Sequence, residues 1–119
     1  MSTVSDFKQK PFDKRFKECN YMMKKYPNSI CCIIEKSPSC KNLCDIKKNK
    51  YIIPKNLTIA QIIYIIRKRI TLDSKMCIFI YINNKIPLSN QEISQIYEKN
   101  KDEDGFLYIK YAGENTFGS

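Results

Sequence analysis

The chain has 119 residues, 43% of them apolar and 28% charged, enough for one compact domain with a real core and too little for a second. It carries 21 basic against 12 acidic residues, a net charge of +9, which attracts anionic lipid, nucleic acid or acidic peptides. Only Arg15, Arg67 and Arg69 are arginines, so a base-reading arginine stripe is absent, and with no histidine the chain lacks the commonest general acid–base group.

The N-terminal stretch MSTVSDFKQKPFDKRF has no continuous apolar segment of the secretory kind, and the longest apolar runs, Ile62 to Ile66 and Cys77 to Ile82, are far short of a membrane span. Any membrane contact is therefore expected to be peripheral or covalent. The six cysteines are read as reduced cytosolic thiols, and without histidine or a C-x-x-C pair they do not compose a zinc site. Cys19 and Cys77 are expected in the core. Charge is uneven. Residues 1–60 hold 13 basic and 5 acidic side chains, and residues 91–119 hold 3 and 6, so the positive face belongs to the first half.

In chain order, a short helical turn before Pro11 precedes a helix over 12–25. There Phe12, Phe16, Cys19 and Met23 recur at helical spacing, Lys24 and Lys25 suit the last turn, and Pro27 stops it. Ile30 to Glu35 predicts a strand with Cys31 and Cys32 on opposite faces, followed by a polar loop and a second strand, Lys50 to Ile53, ended by Pro54. The isoleucine-rich segment Ile59 to Ile70 has strand propensity, but Thr58 and Gln61 form a capping box, which decides for a helix with Ile59, Ile62, Ile63, Ile66 and Ile70 in one stripe.

Cys77 to Ile82 predicts a third strand closed by an Asn83-Asn84 hairpin turn. Ser89 to Glu92 predicts a second capping box that opens a short helix with Ile93, Ile96 and Tyr97 inward. Phe106 to Tyr111 predicts the last strand, and Asp102, Glu103 and Asp104 before it read as a solvated loop. Helix, strand, strand, helix, strand, short helix, strand is the α+β order of a ubiquitin-like β-grasp fold, a four-stranded mixed sheet with packed helices. The parts are a helical extension over 1–27, a core over 28–112 and a tail over 113–119.

Several ordered segments then go beyond pattern. Pro11-Phe12-Asp13-Lys14-Arg15, Lys25-Tyr26-Pro27, Lys50-Tyr51-Ile52-Ile53-Pro54, Leu57-Thr58, Ile66-Arg67-Lys68-Arg69-Ile70, Lys101 to Tyr108 and Gly113-Glu114-Asn115-Thr116-Phe117-Gly118 together resemble the autophagy-related protein 8 family, the GABA-receptor-associated-protein-like modifiers. The resemblance spans about Lys10 to Gly118. It implies a non-enzymatic modifier with two N-terminal helices and no cofactor. On that resemblance a processing cysteine protease would remove Ser119. E1-like and E2-like enzymes would then pass Gly118 to phosphatidylethanolamine, so the protein is expected in the cytoplasm and, once lipidated, on autophagosomal or related vesicle membranes.

The resemblance also implies that cargo receptors bind through aromatic-x-x-aliphatic motifs added as a strand to the sheet edge. Position by position, an aromatic pocket would use Glu18, Met22, Cys31, Ile33, Lys50, Ile52 and Phe106. An aliphatic pocket would use Tyr51, Ile53, Pro54, Leu57, Ile62 and Ile65, with Arg67 beside it. Cys31 stands where the family usually has proline, and it adds an amide donor and a thiol there. The alternative reading is a β-grasp module that binds peptides or anionic surfaces and is never conjugated. No nucleic-acid partner is expected.

Overall fold

The computed structural model describes residues 6–40, 43–70 and 76–113. After a tight helical turn, Phe7–Gln9, the elements are α1 (Phe12–Lys25), β1 (Ser29–Lys36), β2 (Lys50–Pro54), α2 (Ile59–Arg69), β3 (Phe79–Tyr81), α3 (Ile93–Asn100) and β4 (Leu107–Ala112). The strands form one sheet in the order β2-β1-β4-β3. The central pair β1 and β4 is parallel, and each edge strand is antiparallel to its neighbour. This is the β-grasp arrangement.

The central strand explains its own sequence. Ile30 to Ile34 is buried without interruption because both faces of β1 are covered. Ile30, Cys32 and Ile34 enter a large core with Tyr51, Ile53, Leu107, Ile109 and Tyr111, roofed by Ile59, Ile62 and Ile66 of α2 and by Ile93, Ile96 and Tyr97 of α3. Cys31 and Ile33 enter a smaller core with Phe7, Cys19 and Phe106 beneath α1. Each isoleucine fully buried this way contributes about 1.5–3 kcal/mol. The loop after β1 is less polar in effect than its composition suggests. Cys40, Leu43 and Ile46 are buried in the large core, and Tyr111 Oη donates to the Cys44 carbonyl at 2.6 Å.

Local chemistry sets the ends of α2. The Gln61 amide donates to Thr58 Oγ1 at 3.3 Å, and the Thr58 amide donates to Gln61 Oε1 at 2.8 Å. Thr58→Ala is expected to lower stability by about 1 kcal/mol in denaturant titration, with an unchanged transition slope. Asn83 and Asn84 both adopt positive φ, 51° and 63°, and Ile82 bridges Lys85 across them, the primed turn that matches strand twist.

Two expectations need correction, the α3 capping box and the burial of Cys77. The second capping box does not form: Glu92 occupies the N-cap of α3 with no side-chain bond, and Gln91 accepts from the Leu88 amide instead. The first amides of α3 are satisfied by the chain after β2, with Ile93 N donating to Leu57 O at 2.8 Å and Ser94 N to Lys55 O at 3.2 Å. Phe12 and Phe16 are 42% and 43% exposed and stack on each other at 5.8 Å, because α1 lays its Cys19 face on the sheet. Cys77 is exposed, since β3 begins only at Phe79.

Candidate functional site: the β2 edge

β2 is an edge strand, and its hydrogen-bonding phase follows from one bond. Ile34 N donates to Asn49 O at 2.7 Å, next to the Ile33–Lys50 pair. Antiparallel ladders alternate, so Tyr51 and Ile53 turn their amides and carbonyls toward β1, whereas Lys50 and Ile52 turn theirs to the open edge. Side chains alternate as well. Lys50 and Ile52 lie on the α1 side of the sheet, and Tyr51 and Ile53 on the α2 side.

On the α1 side the structure brings together the residues named for the aromatic pocket. Cys31, Ile33 and Phe106 are fully buried and form a floor, with Met22 of α1 and Ile52 of β2 packed against them as walls. The Lys50 ammonium pairs with the Glu18 carboxylate between β2 and α1, and Lys10 reaches the other Glu18 oxygen at 3.4 Å. Desolvation lowers the Lys50 pKa, and the nearby positive charge of Lys10 adds to the effect.

On the α2 side, Tyr51, Ile53 and Ile62 are buried together, with Leu57 packed against them. The two bonds from α3 to the carbonyls of Lys55 and Leu57 hold that loop in place. Pro54 is exposed at the end of β2, and Ile65 is partly buried on α2. Arg67 also reaches a partner within the fold, donating to the Met76 carbonyl at 2.6 Å.

Tyr51 Oη is buried with no hydrogen-bond partner among the described residues, and burial pushes its phenol upward. An orphaned hydroxyl costs about 1–3 kcal/mol. Tyr51→Phe is therefore expected to raise stability by about 1 kcal/mol, read by denaturant titration; a loss of stability would mean that the hydroxyl is satisfied in solution.

Other concavities lie elsewhere. One of about 470 Å³ is bounded by Glu35, Lys36, Asp45 and Lys110, and one of about 680 Å³ by Ile82, Ile86, Leu88 and Ile96. Neither contains a β2 residue. Among the described residues, no group of His, Cys, Asp or Glu side chains is placed to hold a metal, and no helix is long and apolar enough to cross a membrane. Gly118 and Ser119 lie outside the described residues.

Asp104 does not lie in the solvated loop that the sequence predicts. It is 0% exposed rather than solvated. Its Oδ2 accepts from Arg15 Nη1 and Tyr108 Oη, each at 2.5 Å, and its Oδ1 accepts from the Phe106 amide at 2.8 Å. Burial and the bond to Asp104 push the Tyr108 phenol upward. Asp102 supports the turn by accepting from the Asp104 amide, and it pairs with Lys8 at 2.7 Å. Gly105 follows at φ +94°, where a side chain would be strained and would meet Cys19 Sγ. The turn thus anchors α1, and with it Glu18 and Met22, to the start of β4.

A β-grasp sheet with a helix-flanked open edge defines a ubiquitin-like protein. Residues 14–118 match the family model described as Autophagy protein Atg8 ubiquitin like. Autophagy-related protein 8a of Arabidopsis thaliana is 45% identical over 116 residues, 97% of this chain and 94% of its own length. Autophagy-related protein 8 of Candida glabrata is 44% identical over 115 residues, 96% and 97% of the two chains. The crystal structure of Trypanosoma brucei ATG8 superposes with a TM-score of 0.89 at 34% identity, covering 97% of this chain and 99% of that one. The chain belongs to the Atg8 family of ubiquitin-like autophagy proteins, a class of modifiers rather than enzymes.

Proposed function

We propose that this protein is processed after Gly118 and conjugated through that glycine to phosphatidylethanolamine, and that it then recruits receptors by adding an aromatic-x-x-aliphatic peptide to the open edge of β2. The protease that removes Ser119 and the E1-like and E2-like carriers act on the tail. A glycine suits them, because without a side chain the backbone passes through a narrow catalytic channel. The family match, which runs to residue 118, supports Gly118 as the reactive end.

One observation carries the peptide reading: the edge of β2 offers the backbone groups of Lys50 and Ile52 between two apolar rows on opposite faces of the sheet. An added strand would bond to those groups. Alternation along it sends residues one apart to opposite faces, so a motif with two intervening residues reaches one pocket from each end. The aromatic side chain would enter past Lys50 and Glu18 toward Ile33 and Phe106. The aliphatic one would meet Leu57, Ile62 and Ile65 beside Tyr51, Ile53 and Pro54. Lys50, and Arg67 farther along, favour acidic flanks.

The test is a titration of isotope-labelled protein with an acidic peptide bearing a Trp-Ala-Ala-Leu core, followed through amide resonances. The largest shifts are expected at Lys50 and Ile52, with smaller ones at Cys31 and Leu57. Shifts confined to α3 or β3 would contradict the reading.

A further inference from the structure

α1 lays one face on the sheet and turns the other to solvent. Cys19 is buried at the contact, and Met22 and Met23 pack against the same small core. With successive side chains about 100° apart, Lys14, Lys17, Tyr21, Lys24 and Lys25 fall within an arc of about 100° centred opposite Cys19. All five are exposed, Tyr21 by 63%. Tyr26 follows at the C-terminal end of the helix and is also exposed. The Lys25 ammonium lies 5.9 Å from the centre of the Tyr21 ring and 5.6 Å from that of Tyr26.

The charge of this face is not neutralised within the fold. Of the two acidic residues of α1, Glu18 is held by Lys10 and Lys50, and Asp13 stands at the margin of the arc. Among the described residues, no carboxylate lies within ion-pair distance of Lys14, Lys17, Lys24 or Lys25. Arg15, the one arginine of α1, is directed to Asp104 and takes no part in the face.

We infer that the outer face of α1 docks on an anionic bilayer, its four lysines drawn to acidic headgroups and its tyrosines seated at the water–headgroup level. Three features select a bilayer over other anions. Lysine is a point charge that responds to a diffuse negative surface potential, whereas planar recognition of a particular phosphate or base calls for arginine. Tyrosine suits the membrane–water interface, with an apolar ring and a polar tip. The face is the ridge of a helix, which meets a plane; extended acidic peptides are held instead by a groove or a sheet edge. The contact uses neither Gly118 nor the β2 edge, so it stands whether or not the reading above does. It concentrates the unconjugated chain at acidic membranes.

The experiment is flotation of the full, unconjugated chain with vesicles of phosphatidylcholine alone or with about 30% phosphatidylserine, the acidic lipid that sets the surface potential. Binding is expected only to the acidic vesicles, and it should vanish at about 1 M salt, where the screening length is about 3 Å. Lys17→Glu combined with Lys24→Glu is expected to weaken partitioning at least about tenfold. Lys14→Glu combined with Lys25→Glu should do the same, so the result does not depend on one pair leaving the fold intact. Lys85→Glu combined with Lys99→Glu makes the same change in net charge at two exposed lysines outside α1 and should leave partitioning within about twofold. Matching denaturant midpoints establish that the compared proteins are folded. No binding to acidic vesicles, equal binding to neutral ones, or an equal loss in the Lys85 and Lys99 variant would overturn the proposal. So would a uniform single-stranded RNA that binds through the same α1 lysines and displaces the protein from the vesicles, since the face would then belong to nucleic acid.

Discussion

Asp104→Ala is expected to lower the unfolding free energy by about 3–5 kcal/mol, the cost of removing one partner from a buried ion pair. The mutation leaves the Arg15 guanidinium, only 11% exposed, without its closest carboxylate, and it removes the acceptors of Tyr108 Oη and the Phe106 amide. Asp102 stands 3.9 Å from Arg15 and cannot replace a 2.5 Å contact. Asp104→Asn should cost less, because an amide oxygen can still accept from Phe106. Replacing Arg15 together with Asp104 by apolar residues should recover part of the loss, since no charge is then left buried. Denaturant titration of the four proteins measures this. A cost below about 1 kcal/mol for Asp104→Ala would show that the carboxylate is solvated in solution. The consequence is also functional, because Arg15 ties down the helix that carries Glu18 and Met22.

Lys50→Glu combined with Leu57→Ala is expected to weaken an acidic aromatic-x-x-aliphatic peptide about a hundredfold in calorimetry, a change of about 2.7 kcal/mol. The first substitution places a second carboxylate beside Glu18 and repels an acidic flank. The second removes a part-buried apolar wall on the other face of the sheet. The positions lie on opposite sides of β2 with no shared partner, so their effects should add. Conjugation through Gly118 should proceed normally. Unchanged peptide affinity would remove the β2 edge as the binding surface.

Features written locally were legible in the sequence. The Thr58–Gln61 capping box overrode the strand propensity of the isoleucines after it, because its two bonds close within one turn. The Asn83-Asn84 turn was legible for the same reason, as asparagine tolerates positive φ. Features settled by distant contacts were not. Ser89 to Glu92 has the composition of a cap, but the carbonyls of Lys55 and Leu57 reach the α3 amides first. The spacing of Phe12, Phe16, Cys19 and Met23 gave the helix but not its buried face, which the sheet selects through Cys19.

Asp104 looked like one of three solvated acids because its partner Arg15 is 89 residues away. The signal that could have found it is the run Asp104-Gly105-Phe106: an acid before a glycine turn and a strand, in a chain with few arginines to pair with it. The pocket residues were placed by resemblance. The structure groups most of them in two clusters, one on each face of β2, and it gives Lys50 and Arg67 partners within the fold.

The most direct test of the central claim is the intact mass of the protein recovered from the membrane fraction of its own cells under autophagy-inducing conditions, beside a Gly118→Ala control. The account predicts loss of Ser119 and gain of one phosphatidylethanolamine, with neither change in the control. Full-length, unmodified protein in both samples would contradict it and leave a binding module that is never conjugated.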